Sequence, residues 1–230
     1  MKSGNMVSRM VKLAIALVVT AGMAHASAGS PGVSADDALQ KLMAGNKRYI
    51  EGKMAACSAC NAPAREKLAT SQHPYAIILS CSDSRVPPEL IFDNTLGEIF
   101  VIRVAGNIAD PVVLGSIEYA TEHLGTPLIM VLGHERCGAV TATVNAKGKQ
   151  EGNIGVIVNA IKPAALKAKG IYHGKSAGEL VECATEVNAK AVAAGLTKKS
   201  KVLAHQLAEG KIKIVTAKYD LDDGKVTLLK

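Results

Sequence analysis

Three runs of strand length, Tyr75–Leu79 (YAIIL), Ile99–Val104 (IFVIRV) and Pro127–Leu132 (PLIMVL), carry almost nothing polar. Apolarity without alternation marks strands covered on both faces, the condition of a parallel sheet clothed in helices. Between the second and third runs, Val113, Ile117, Ala120 and Leu124 recur at helical spacing within Asp110–Leu124. Strand, helix, strand is the order of a parallel α/β unit. The sequence therefore predicts an α/β fold with a mostly parallel central β-sheet flanked by helices.

Around this centre, Ser34 precedes an apolar pattern and Asp37 follows it by three residues, which predicts a capped helix near Ala35–Ile50. A small-residue stretch, 52–61, holds Cys57 and Cys60 and leads to a short helical segment near Ala64–Thr70. Two longer helices are predicted, one near Gly155–Lys169 and one from Ser176 to about Leu207, with Gly195 as a candidate interruption. Ile212–Tyr219, the Asp222-Asp223-Gly224 turn and Val226–Leu229 read as a closing hairpin. No internal repeat, low-complexity tract or second domain stands out.

Composition narrows the function classes. With 48% hydrophobic and 20% charged residues, the chain is neither a disordered tail nor a collagen, and five cysteines in 230 residues exclude a disulfide-dense miniprotein. Two Phe, five Tyr and no Trp give a base-stacking platform little to work with, so nucleic acid is not an expected partner. The formal charge is +7, yet no acidic residue occurs before Asp36, while Lys2, Arg9 and Lys12 precede the apolar run Leu13–Ala24. Basic residues, a short apolar run and the small-residue series Ala24-His25-Ala26-Ser27-Ala28 have the anatomy of a secretory signal peptide. The run is well short of the roughly 20 residues a membrane-spanning helix needs. The expectation is cleavage after Ala26 or Ala28, a domain over 27–230 without a membrane span, and a periplasmic or secreted location. Loss of the three basic residues lowers the formal charge to +4, too mild to require a polyanionic partner.

The chemistry is carried where two apolar runs give way to polar residues. Cys81 and Asp83 follow the first run; His134 and Cys137 follow the third. In open α/β sheets ligands gather beyond the C-terminal strand ends. Two thiolates and an imidazole form a soft set suited to zinc, and three protein ligands leave a fourth position for water or substrate.

Cys81-Ser82-Asp83-Ser84-Arg85-Val86 together with Gly133-His134-Glu135-Arg136-Cys137-Gly138 resembles the zinc signature of the β-class carbonic anhydrases. Gly97-Glu98-Ile99-Phe100, Arg103–Asn107 and Glu118-Tyr119-Ala120 are similar to intervening segments of that family, and the likeness runs from about Ala35 to the C-terminus. The resemblance implies reversible hydration of carbon dioxide to bicarbonate and a proton, by attack of zinc-bound hydroxide. One Zn²⁺ per subunit would be held by Cys81, His134 and Cys137. Asp83, paired with Arg85, would orient the nucleophile; released from Arg85, it would become a fourth zinc ligand in a closed, inactive state favoured by low pH. Gln72 would hydrogen-bond substrate, with Phe100 and Tyr119 as apolar wall and polar rim of the cleft. The same resemblance implies a homodimer or tetramer whose sites are shared, so that Gln72 and Tyr119 serve a neighbouring chain's zinc. Absence of tryptophan argues against the bicarbonate-regulated subset.

Plainer readings stand beside these. Asp83 and Arg85 alone would be a structural ion pair, Gln72 a solvated loop residue, and Phe100 and Tyr119 packing. His73, His123, His173 and His205 default to the surface. Cys57 and Cys60, followed by Asn61 rather than His, are not a haem attachment site and read as a local disulfide or idle thiols. Cys183 reads as a small buried hydrophobe. Two rival functions keep the metal: a hydrolase of carbon disulfide or carbonyl sulfide, and a non-catalytic periplasmic zinc-binding protein.

Overall fold

The computed structural model describes residues 32–148, 150–174 and 176–230, so the predicted leader lies outside the described residues. Helix α1 (Ala35–Ile50) occupies the span predicted for it. Ser34 Oγ accepts the Asp37 N–H at 3.1 Å, and acidic residues in the first turn and basic ones in the last complement the helix dipole. A 3₁₀ turn (Ala56–Ala59) and α2 (Ala62–Leu68) lead to β1 (Ala76–Ser80). Then follow α3 (Pro88–Ile91), β2 (Ile99–Arg103), a second 3₁₀ turn (Ala105–Asn107), α4 (Pro111–Glu122), β3 (Leu128–His134) and α5 (Gly138–Asn145). Helices α6 (Ile154–Ile171), α7 (Ala177–Lys199) and α8 (Lys201–Ala208) precede β4 (Lys213–Tyr219) and β5 (Val226–Leu228).

The sheet runs β2-β1-β3-β4-β5, parallel except for the final antiparallel pair. Every residue of β1 and β3 is buried, as their unbroken apolarity predicts, whereas the edge strand β2 is half-buried and ends on exposed Arg103. Strand alternation sends Ala76, Ile78, Leu128, Met130 and Leu132 to a core with Leu42 of α1 and Ile91 of α3. Ile77, Leu79, Ile129 and Val131 face the other way, onto Ile117 of α4, Leu196 of α7 and Leu203 of α8. A third apolar cluster joins α5, α6 and α7 beyond the strand ends, and Cys81 and Cys137 belong to it.

This strand order sets the site. From β1 the chain moves outward to β2, then crosses back to β3 on the far side of β1. The winding reverses between β1 and β3, and the C-terminal ends of strands at such a reversal are where open α/β sheets place their ligands. Parallel register pairs Ser80 with Leu132, so Cys81, the next residue, lies near the level of His134.

The long predicted helix breaks at Ser200, not Gly195: Ser200 Oγ accepts the Leu203 N–H at 3.1 Å and donates to Glu118 at 2.6 Å, while a Cβ on Gly195 would meet nothing within 4 Å. His73, His123, His173 and His205 are exposed, and Cys183 is partly buried against the third cluster. Cys60 is exposed with its sulfur 3.3 Å from the Thr95 hydroxyl; the Cys57 side chain it would pair with lies outside the described residues. Among the described residues no helix is long and apolar enough to cross a membrane.

Candidate metal centre

Cys81 follows β1 directly, His134 closes β3, and Cys137 is the N-cap of α5. Their ligand atoms all lie within 4.8 Å of one another, and all three residues are buried. The turn that brings Cys137 back to His134 passes through Arg136 at φ 47, a left-handed conformation uncommon outside glycine. It is held from several sides. The Arg136 N–H donates to Glu182 at 2.8 Å, and its guanidinium grips Asp222 by two bonds of 2.9 and 2.7 Å.

His134 carries the most telling feature. Its Nδ1 lies 2.8 Å from the Glu135 carbonyl, which can only accept, so Nδ1 holds the proton and Nε2 presents a lone pair. That Nε2 is buried without a hydrogen-bond partner. Leaving a buried acceptor unmet costs about 1–3 kcal/mol, and the nearest carboxylate, Asp83 Oδ2, is 3.9 Å away.

The sulfurs complement it. The neighbouring Cys137 thiol, against burial, holds the Cys81 thiol below its usual range, and the Gly106 N–H, 3.3 Å from Sγ, helps. Cys137 is correspondingly pushed up by the neighbouring Cys81 sulfur and by burial. Two close sulfurs beside a free imidazole nitrogen are donors that a soft divalent cation satisfies, with release of the thiol protons that remain. The residues present therefore fit a zinc ion.

Asp83 sits beside this group. Arg85 donates to it through Nε at 2.9 Å, Nη2 at 2.7 Å and its backbone N–H at 3.0 Å. This guanidinium holds the Asp83 carboxyl well below the usual carboxylate range, against partial burial. Arg103, at the end of β2, braces the same loop: Nε donates to the Cys81 carbonyl at 3.0 Å and Nη2 to the Asp83 carbonyl at 2.6 Å.

Five predicted residues thus come together: Cys81, Asp83, Arg85, His134 and Cys137. The others do not join them within one chain. Register sets Phe100 opposite Ile77, four residues before Cys81, or about 13 Å along the strand. Its ring packs with exposed Tyr119 at a centroid distance of 6.3 Å. Gln72 lies exposed in the loop before β1.

A scan against family models matches residues 76–226 to the carbonic anhydrase family. Carbonic anhydrase 2 of Mycobacterium tuberculosis is 38% identical over 194 residues, covering 83% of this chain and 91% of that one. The β-carbonic anhydrase of Coccomyxa, solved in complex with acetazolamide, superposes with a TM-score of 0.69 at 28% identity, over 83% of this chain and 86% of that one. The chain belongs to the β-class carbonic anhydrases. A tetrameric β-carbonic anhydrase from Sordaria macrospora is also similar, at a TM-score of 0.64 and 26% identity, over 71% of this chain and 84% of that one. The family model spans both ligand segments and strands β1 to β4, so the carbonic anhydrase likeness rests on the same strands that position the candidate ligands.

Sequence reasoning missed Arg103 as a brace, Asp222 and Glu182 as anchors of the Arg136 turn, and Gly106, whose N–H donates to Cys81 Sγ at 3.3 Å. No local pattern marks them, since each acts on a residue at least 20 positions away. The resemblance already covered Arg103 and Gly106, but without assigning either a task. Glu135, Asp220 and Asp222 form a second group of close oxygens, whose carboxylates are engaged by the Leu221 amide, the Asp222 and Asp223 amides, and Arg136.

Proposed function

We propose that this carbonic anhydrase reversibly hydrates carbon dioxide to bicarbonate and a proton, with one zinc ion per subunit held by Cys81, His134 and Cys137. The observation that carries this reading is the buried, unpartnered His134 Nε2 grouped with two buried sulfurs. Zinc, when bound there, activates water as a nucleophile at neutral pH.

The chain's own residues supply the rest. Asp83, kept ionised by Arg85, accepts a hydrogen bond from the attacking water and orients it. Arg85 holds that carboxylate by three donors, so its direction is set before substrate arrives. The apolar cluster behind Cys81 and Cys137 excludes bulk water and strengthens each polar contact. Release of Asp83 from Arg85 would free it to take the fourth ligand position and close the site.

Gln72, Phe100 and Tyr119 serve as substrate-side residues across a subunit boundary, in a homodimer or tetramer. Their separation from their own chain's metal group supports this reading, as does the tetrameric relative from Sordaria. The basic residues, short apolar run and small-residue series before Ser30 support export to the periplasm or beyond.

Elemental analysis of purified protein, paired with stopped-flow carbon dioxide hydration before and after chelation, tests the proposal. The expected result is one zinc per chain, activity lost on chelation and regained with zinc. Full activity in metal-free protein would overturn it.

A further inference from the structure

A metal held by two thiolates is a poorer acid than one held by imidazoles alone, so any donor that draws charge off sulfur improves it. Cys81 Sγ has such a donor in the buried Gly106 N–H, at 3.3 Å. Gly106 sits at φ 70 and ψ 20, inside the turn Ala105–Asn107. Glycine is the residue with the most torsional freedom to lose. No side chain can stiffen it here, since an added Cβ would stand 2.5 Å from Ile161 Cδ1. Whatever keeps this amide on the sulfur must come from outside.

It comes from α7. Asn188 Nδ2 donates to the Gly106 carbonyl at 2.9 Å, across 82 residues of sequence. The adjoining Asn107 N–H donates to the Val104 carbonyl at 2.8 Å, so the peptide after Gly106 is pinned on both edges. Thr185, Asn188 and Ala189 share one buried face of α7 by their i, i+3, i+4 spacing. The same face lies on Gly133, where a Cβ would be 3.2 Å from Thr185 Cγ2. One helix face therefore covers both the residue before His134 and the turn that donates to Cys81. An apolar residue would fill a site that is only 2% exposed at lower cost than an amide.

We propose that Asn188 is a positioning residue for the metal centre: by holding the Gly106 carbonyl it keeps the Gly106 N–H on the Cys81 sulfur, and so limits how much charge Cys81 gives the metal. This rests on the zinc reading above. Asn188 acts only through Gly106.

The test uses the full chain, wild type and Asn188→Leu, each loaded with cobalt as a visible probe and separately with zinc. With the Gly106 amide loosened, the thiolate-to-cobalt charge-transfer band moves to lower energy. In the zinc enzyme kcat falls about tenfold with KM unchanged. A folded, fully metallated Asn188→Leu protein with wild-type absorption and kcat overturns the proposal and leaves Asn188 a structural amide. Should that variant fail to fold, the wild type decides: loaded with the NMR-active cadmium isotope, its Gly106 amide must show coupling to the metal through the hydrogen bond. Absence of that coupling overturns the proposal equally. A wild type that takes up no metal refutes the zinc reading instead.

Discussion

Arg85 and Asp83 meet edge to edge, Nε against Oδ1 at 2.9 Å and Nη2 against Oδ2 at 2.7 Å, while Oδ2 also lies 3.9 Å from His134 Nε2. The carboxylate is thus fixed in its plane by a cation and stands beside the candidate metal group without bonding to its imidazole. Asp83→Ala should retain one zinc per chain yet lose about 100-fold in carbon dioxide hydration, the scale of a lost proton-handling group. Arg85→Lys keeps the charge but not the fork, and should fall between the two. Stopped-flow rates with metal content on the same samples check both; loss of zinc in Asp83→Ala would assign the residue to metal binding instead.

Arg103 ties the first ligand loop to the edge strand. Replacing it with Leu removes donors to the Cys81 and Asp83 carbonyls. The expected cost is about 2 kcal/mol, read as a fall of several degrees in Tm, together with faster zinc loss to a chelator. Arg103→Lys should recover only part, because an ammonium lacks the planar fork that spans two carbonyls.

Gly106→Ala places a methyl group in a left-handed position and against Ile161 Cδ1 at 2.5 Å. Together these should destabilise the fold by about 1–3 kcal/mol in urea denaturation. Ile161→Val in the same chain should return part of the loss by clearing the contact. If the double variant is no better than the single, the backbone conformation alone sets the cost.

Asp93 offers a test in acid. Burial acts to raise its carboxyl, but donors from the Ala56 N–H, Arg48 and the Ala55 N–H outweigh it, and the net shift is downward. A depressed carboxyl in the folded state gives stability that is full above the unfolded value of about 3.9 and is lost as pH falls through the folded value. Asp93→Asn, which tolerates the residue's φ of 46, should therefore be less stable than wild type by about 1–3 kcal/mol at neutral pH. The gap should hold to pH ~5 and shrink below ~3.9. A gap independent of pH would mean that the charge contributes nothing.

Most of this architecture was legible in the chain because its signals are local. Ser34 and Asp37 give α1 its start, and the unbroken runs before Cys81 and Gly133 give β1 and β3, which also mark the ligand residues as strand ends. The hairpin of β4 and β5 followed from the Asp222-Asp223-Gly224 turn. Helices α3 and α5 were not foreseen: one is a single turn opened by Pro88, and the other begins at a residue read as a ligand rather than a cap. Ser200 ends α7 because Glu118, 82 residues away, accepts its hydroxyl, and no window around Ser200 contains that partner. Arg103, Gly106 and Asn188 were opaque for the same reason, since each acts through a backbone group that only the closed sheet brings near.

Cys81 follows β1 and His134 closes β3, strands with a neighbour on each side. Fraying of β2 or of the terminal hairpin, the cheapest openings available to such a sheet, separates neither from the other. Escape of an ion from this grip demands rupture of the molecule's middle rather than a breath at its rim. If an ion is held there, its retention should follow the opening of the central strands rather than of the edges, so it would outlast excursions that empty a pocket built from loops alone.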